Sequence, residues 1–163
     1  MAAWRTAGII VAGAIGAVLL AAQLGALRGS TPTDLGVRDG RLKRPSKTPN
    51  SVSSQADLWP DHPQRAYARI APLALVNADG AHTITALRAL LQRWPGATLA
   101  GEQPGYLYVQ FRTRVLGFVD DAEFWFDPQA QAVQLRSASR IGRKDFGVNR
   151  ARMEAIRAAL AAR

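Results

Sequence analysis

Three consecutive segments alternate in polarity with a period of two, and this restricts the fold more than any other feature of the chain. In "YLYVQFR", Leu107, Val109 and Phe111 alternate with Tyr106, Tyr108, Gln110 and Arg112. In "DDAEFWF", Ala122, Phe124 and Phe126 alternate with Asp121, Glu123 and Trp125. In "AVQLRSASR", Val133, Leu135, Ser137 and Ser139 oppose Gln134, Arg136, Ala138 and Arg140. Side chains of an extended chain point alternately to opposite faces, so each segment reads as a strand with one face toward a core. Turn residues near Gly117 and at Asp127-Pro128 join them into an antiparallel meander, and "GATLAGE" ahead of them reads as a fourth strand. A loop of Pro128 to Gln131 sets the register: Phe126 opposite Val133 and Glu123 opposite Arg136, an opposite-charge pair worth ~0.2–1 kcal/mol.

A meander with one apolar face needs a cover, and helical patterns supply it. In "HTITALRALLQRWPG", Ile84, Leu87, Leu91 and Trp94 recur at helical spacing, Leu90 widens the stripe, and Pro95-Gly96 stops the helix. Near the C-terminus Asn149 is the expected N-cap, Val148 and Met153 the staple pair, and Met153, Ile156 and Leu160 the apolar stripe. That arrangement puts Arg150, Arg152 and Arg157 on a solvated face. "RIAPLALV", Arg69 to Val76, reads as a short edge strand because Pro72 removes a ladder donor.

Between Arg5 and Arg28 runs "TAGIIVAGAIGAVLLAAQLGAL", without a charge. As a helix at ~1.5 Å per residue it would span roughly 33 Å, the thickness of a hydrocarbon core, so it reads as a transmembrane anchor. The alternative is a cleaved signal peptide, but its best small-residue site, Leu24-Gly25-Ala26, opens on a bulky Leu. Arg28, Arg38, Arg41, Lys43, Arg44 and Lys47 follow, and the positive-inside rule would put the domain in the cytoplasm. From Arg28 to Pro60, Pro, Gly, Ser, Thr and charge dominate, so this is an extended linker or a strap on the domain. Leu35, Val37, Leu42, Val52, Leu58 and Trp59 argue that parts of it dock. The expected organisation is an anchor over 1–28, a linker or strap over 29–60 and a globular domain over 61–163. The fold class is α+β, an antiparallel meander with two or more helices on one face plus an N-terminal transmembrane helix.

The chain carries 21 Lys and Arg against 12 Asp and Glu, a net +9, which favours anionic partners. It has no Cys, which excludes disulfides, thiolate metal sites and a Cys nucleophile. His62 and His82 are too few for a histidine metal site, and neither a metal nor another cofactor is expected. Arg140, Arg143, Lys144, Asn149 and Arg150 surround the start of the last helix, where free N–H groups can hold an anion. The competing reading of those residues is solubility charge and loop-fixing ion pairs. Asp121, Glu123 and Arg136 form a polar cluster on the other sheet face, with Asp120 pointing away. They read either as carboxylates balancing Arg112, Arg136 and Arg140 or as acid/base groups of a hydrolase working with Arg136 or Arg140. Ser137 and Ser139 have no His near in sequence and read as structural, so no catalytic residue is assigned. Tyr106, Tyr108 and Trp125 have the look of a base-stacking platform, but the interleaved Asp121 and Glu123 oppose phosphate, and no nucleic-acid partner is expected.

The run "SASRIGRKDFGVNRAR" (Ser137 to Arg152), preceded by "GFVDDAEF" (Gly117 to Phe124), "DLGVRDGRL" and "TPNSVSSQA" (Asp34 to Ala56), resembles the domain of unknown function 1499 family (DUF1499). The similarity covers about Asp34 to Leu160 and implies an architecture more than a chemistry. Many members of that bacterial and plastid family look exported or membrane-anchored. This implies, against the charge rule, a single-pass protein of the bacterial inner membrane with a periplasmic domain. Members often carry Cys at the positions of Arg44 and Ser51. Joint absence is what a lost structural disulfide leaves, and a lost thiol activity or metal site would look the same. The expected function is a non-enzymatic, membrane-anchored accessory domain binding an anionic ligand, a lipid headgroup or a protein partner; the alternative is a hydrolase-type enzyme using Asp121 or Glu123. Single-stranded RNA at low salt should give no band shift with this protein, and a salt-sensitive shift would overturn the exclusion of nucleic acid.

Overall fold

The computed structural model describes residues 2–162. In chain order the elements are α1 (Ala2–Gln23), β1 (Ser51–Ser53), a 3-10 turn (Ala56–Leu58), α2 (Arg65–Ala68), α3 (Gly80–Leu91), β2 (Ala97–Gln103), β3 (Tyr106–Arg112), β4 (Val119–Asp127), β5 (Ala132–Ser139) and α4 (Val148–Ala161). The strands form one antiparallel sheet in the order β1-β5-β4-β3-β2. The expected register holds: Phe126 faces Val133 and Glu123 faces Arg136.

The first face of the sheet is the apolar one. Leu107, Val109, Phe111, Ala122, Phe124, Val133 and Leu135 pack there against Ile84, Leu87 and Leu91 of α3 and Met153, Ile156 and Leu160 of α4. Burying each large side chain contributes about 1.5–3 kcal/mol relative to exposure. α3 begins where Asp79 accepts a hydrogen bond from the His82 backbone N–H at 2.9 Å. It ends at Leu91, so Trp94 belongs to the turn that follows.

Three local expectations are corrected. Residues 69–76 are not a strand, because they meet the sheet at isolated bridges, Arg69 with Ser53 and Leu73 with Val133, the latter exchanging both backbone bonds at 2.9 Å each. The carbonyls of Ala71 and Pro72 instead accept from the Arg157 guanidinium. Secondly, Asn149 is not the N-cap of α4. The cap position is Gly147, at φ 82°, and Asp145 supplies the capping carboxylate, while Val148 stands exposed and forms no staple with buried Met153. Thirdly, the arginines of α4 are not free on a solvated face. Arg150 donates to the Tyr67 carbonyl, Arg152 to Asp120, and Arg157 to the 71–72 backbone. A segment without ladder partners must bond its carbonyls somewhere, and long guanidinium arms reach them.

The strap docks on the domain. Leu42 is buried, its N–H donates to Gln55 Oε1 at 2.8 Å, and Gln55 Nε2 returns a bond to the Gly40 carbonyl at 3.0 Å. Further along, Ser51–Ser53 adds β1 to the edge of β5.

α1 meets the domain at its C-terminal end. Gln23 Nε2 donates to the carbonyls of Arg114 and Val115, and Arg112 donates to the Gln23 carbonyl at 3.2 Å. Ile10, Val11, Ile15, Val18 and Leu20 of α1 are all more than half exposed. Among the described residues no helix is long and apolar enough to cross a membrane. The side chains of Ala2, Ala3, Arg5, Thr6 and Ile9 lie outside the described set, so part of the expected anchor and its basic flank does too.

A Cβ on Gly80, the first residue of α3, would fall 2.4 Å from the Phe126 ring. Gly80→Ala should therefore destabilise the domain by about 1–3 kcal/mol through overpacking, read as a lowered urea midpoint with unchanged slope.

Candidate functional site

The second face of the sheet is polar and is covered by the strap. β4 and β5 bring Glu123 and Arg136 opposite each other, with Arg136 Nη1 3.7 Å from Glu123 Oε2. Both are buried, at 0% and 4% exposure. Glu123 Oε1 accepts from Tyr106 Oη at 2.9 Å and from the strap N–H of Gly36 at 2.7 Å. Its Oε2 has no hydrogen-bond partner among the described residues and relies on the guanidinium charge. Burial raises the Glu123 carboxyl above its ordinary value, against the Gly36 N–H, the Arg136 charge and the Tyr106 hydroxyl. Burial also pulls the Arg136 guanidinium down, against the charges of Glu123 and Asp121. Arg136 Nε donates to the Arg44 carbonyl at 3.3 Å, a second tie to the strap.

Two residues along β4, on the same face, Asp121 receives Arg140 through Nε and Nη2, each at 2.8 Å. Tyr108 Oη also donates to Asp121, and Gln110 Nε2 donates to that hydroxyl at 2.9 Å. Asp120 points to the helical face, where Arg152 meets it at 2.7 Å while lying over the Phe111 ring at 4.6 Å. The carboxylates thus balance arginines, though not the full expected set: Arg112 serves the end of α1 instead. The tyrosines of this face are not an open platform, since Tyr106 is buried and both hydroxyls are engaged.

Between the strap and this face opens a cleft of about 370 Å³, lined by Ser30, Pro32, Lys43, Arg44, Pro45, Ser46, Asp121, Arg136, Ala138, Ser139 and Arg140. Four cations and one carboxylate line it. Lys43 pairs at 2.6 Å with Asp34, outside the lining, and the exposed Arg44 guanidinium has no ion-pair partner among the described residues.

The five residues expected around the start of α4 do not converge. Arg140 faces the cleft, Arg150 reaches Tyr67, and Arg143 and Lys144 stand exposed. The place an anion would take is filled by Asp145. Its Oδ1 accepts from the Gly147 N–H at 3.0 Å and from Tyr67 Oη, and its Oδ2 accepts from the Asn149 N–H at 3.2 Å and Asn149 Nδ2 at 2.9 Å. Asn149, fully buried, also accepts from Ser137 Oγ and donates to Ser139 Oγ at 3.0 Å. Both serines are therefore structural here. The sequence reading missed Lys43, Arg44 and Gly36 as parts of these clusters, and missed Asp145 as the group that caps α4. Only Asp145 carried a local signal, an acid two residues ahead of the helix-opening Gly147.

A strap-covered, five-stranded antiparallel sheet backed by two helices defines an α+β domain with a basic cleft on its polar face. Residues 41–160 match the family described as a protein of unknown function, DUF1499, and the chain belongs to that family. The match ends at Leu160 as expected and begins at Arg41, later than the Asp34 anticipated. No curated protein and no solved structure matches the chain.

Two outcomes follow from this geometry. Glu123→Leu strands a buried Arg136 and should cost about 3–5 kcal/mol, whereas Glu123→Leu with Arg136→Met should recover most of that in urea unfolding. The second concerns pH. Burial alone would raise Asp145, but the bonds from Tyr67, Asn149 and Gly147 outweigh it and hold the carboxyl below its ordinary 3.8. A depressed folded value adds stability that is present above the unfolded value and is lost as pH falls through the folded one. Asp145→Asn should lower stability at pH 7 by about 1–3 kcal/mol and flatten the acid limb of the urea midpoint plotted against pH.

Proposed function

We propose that this protein is a membrane-tethered binding domain that admits an anionic group, such as a phosphate or a lipid headgroup, into the cleft under its strap. The observation that carries this reading is Arg136: a guanidinium 4% exposed, lining a cleft of about 370 Å³ beside Lys43, Arg44 and Arg140. A cationic set with low-dielectric walls focuses its field into the opening, so a small anion gains more there than on an open basic surface. Arg44 and Lys43 come from the strap and Arg136 and Arg140 from β5 and the residue after it, so an anion between them would bridge the two. Binding suits these groups better than acid/base work, because Glu123 lies sealed beneath the strap and Asp121 already accepts from Arg140 and Tyr108.

The tether in this reading is α1. Its support is the uncharged run from Thr6 to Leu27 and the exposed Ile10, Val11, Ile15, Val18 and Leu20, which in water would be an uncompensated apolar surface. The domain then faces the periplasm. The basic residues that argue otherwise lie in an ordered strap, with Lys43 paired to Asp34, and so count for less than charges on a free loop.

Native mass spectrometry of the detergent-extracted full-length protein should show a stoichiometric anionic adduct that is lost in Lys43→Ala/Arg44→Ala. An empty monomer, with glycerol 3-phosphate or phosphatidylglycerol added, would sink the binding reading. Alkaline phosphatase fused to the C-terminus should be active in cells, and an inactive fusion reverses the orientation.

A further inference from the structure

Asp145 and Phe146 are neighbours with opposite fates. Asp145 is buried and accepts bonds from Tyr67, Gly147 and Asn149. Phe146, the next residue, is 92% exposed at φ 53°, a left-handed backbone that bulky residues rarely adopt. Gly147 follows, also left-handed at φ 82°. The loop is therefore pinned on both sides of a phenylalanine that it turns outward. Such outliers persist where the surroundings over-determine them, and they point toward function rather than slack. A mostly apolar hollow of about 240 Å³ lies open beside the ring, with Phe118 and Ile141 in its wall alongside Asp120, Lys144 and Asp145, and Phe146 does not fold down to fill it.

Two further facts say what covers this surface. Val115 and Val148 are 60% and 48% exposed, and Arg114, Arg143 and Lys144 stand exposed with no carboxylate paired to them among the described residues. Moreover, α1 leaves the domain at this end, because Gln23 bonds to the carbonyls of Arg114 and Val115. An outward aromatic with aliphatic neighbours, rimmed by unpaired cations, suits the interface of an anionic bilayer.

We propose that the end of the domain from which α1 emerges, presenting Val115, Phe146 and Val148 among Arg114, Arg143 and Lys144, docks on the surface of an anionic phospholipid bilayer. This rests on the reading of α1 as the membrane anchor. Given that tether, docking is an intramolecular step at high effective concentration, so a patch too small to recruit a free protein suffices to orient a tethered one.

The chain has no Cys, so one engineered cysteine gives one labelled site. The full-length protein is reconstituted into nanodiscs of phosphatidylethanolamine and phosphatidylglycerol, with a nitroxide spin label on Ile15→Cys, Val115→Cys or Gln129→Cys. Gln129 lies in the exposed β4–β5 turn, at the other end of the sheet. Collision with oxygen against a water-soluble nickel chelate reports the depth of each label. The expected result is a label in hydrocarbon at 15, at the interface at 115 and in water at 129. Phe146→Ser, or Arg143→Glu with Lys144→Glu, should move the label at 115 at least several-fold toward aqueous accessibility and leave 15 unchanged. A hydrocarbon label at 15 with an aqueous label at 115 overturns the docking face and leaves the anchor standing. An aqueous label at 15 overturns the anchor and the face together. A label at 115 held at the interface but insensitive to both sets of substitutions overturns the assignment to these residues.

Discussion

The buried pair of Glu123 and Arg136 dictates what can cover the second face of the sheet. An antiparallel sheet commonly leaves one face to water, and alternating polar residues would suit that arrangement. Here the central strands are covered on both sides, so two charges have left water and must be satisfied inside the protein. The cover has to bring hydrogen-bonding groups of its own. A helix spends its backbone groups internally and offers only side chains, whereas an irregular strap has free N–H and C=O groups to give. Gly36 gives its N–H to Glu123 and Arg44 gives its carbonyl to Arg136. The aperiodic, Gly- and Pro-containing character of the strap is thus the form its task requires. An apolar pair at these positions is expected to keep most of the stability, so the ions are better explained by specifying where the strap lies than by adding stability.

The same logic organises the start of α4. Asp145 and Asn149 bring together the Tyr67 hydroxyl, the helix-opening N–H groups and the two serines at the end of β5. Asn149 Nδ2 also approaches the Asn50 carbonyl at 3.3 Å, and the Asn50 carbonyl accepts from the Ser139 N–H at 3.0 Å. One polar node therefore joins the strap, the end of the sheet and the last helix. The strands place the node, and it in turn fixes the direction in which the chain throws Phe146.

Strands β2 to β5, the β4–β5 register and the apolar stripes of α3 and α4 were legible because each is carried by local period and turn length, whereas β1, three residues inside the strap, was not. Glu123 opposite Arg136 needed only the Pro128–Gln131 loop to be counted correctly. The covered polar face was not legible, since strap contacts such as Gly36 to Glu123 span 87 positions and leave no periodic trace. The basic cleft stayed hidden for the same reason: Lys43 and Arg44 read as linker charge until the strap folds back over β5. Asn149 was misplaced because Asn suits an N-cap intrinsically, and its residue type does not tell that the helix already opens at Val148, with the Gly147 and Asn149 N–H groups taken by Asp145. Residues 69–76 failed as a strand because Pro72 interrupts them and Arg157, remote in sequence, takes their carbonyls.

The cleft and the outward aromatic stand close together, and chain geometry bounds the distance between them. Ser30 lines the cleft and Gln23 ends α1, so even a fully extended chain at ~3.3–3.6 Å per residue holds the cleft within about 25 Å of the helix end. Near Gly29 the separation shrinks further, since a Cβ there would touch Arg140, which lines the cleft, and Ile141, which walls the hollow beside Phe146. Adjacent residues of one loop thus belong to both surfaces. A domain held by α1 and seated on Phe146 would carry its cationic cleft close to the headgroup layer, where anionic phosphates are concentrated. The cleft then needs little intrinsic affinity, because position supplies the concentration that binding would otherwise have to overcome.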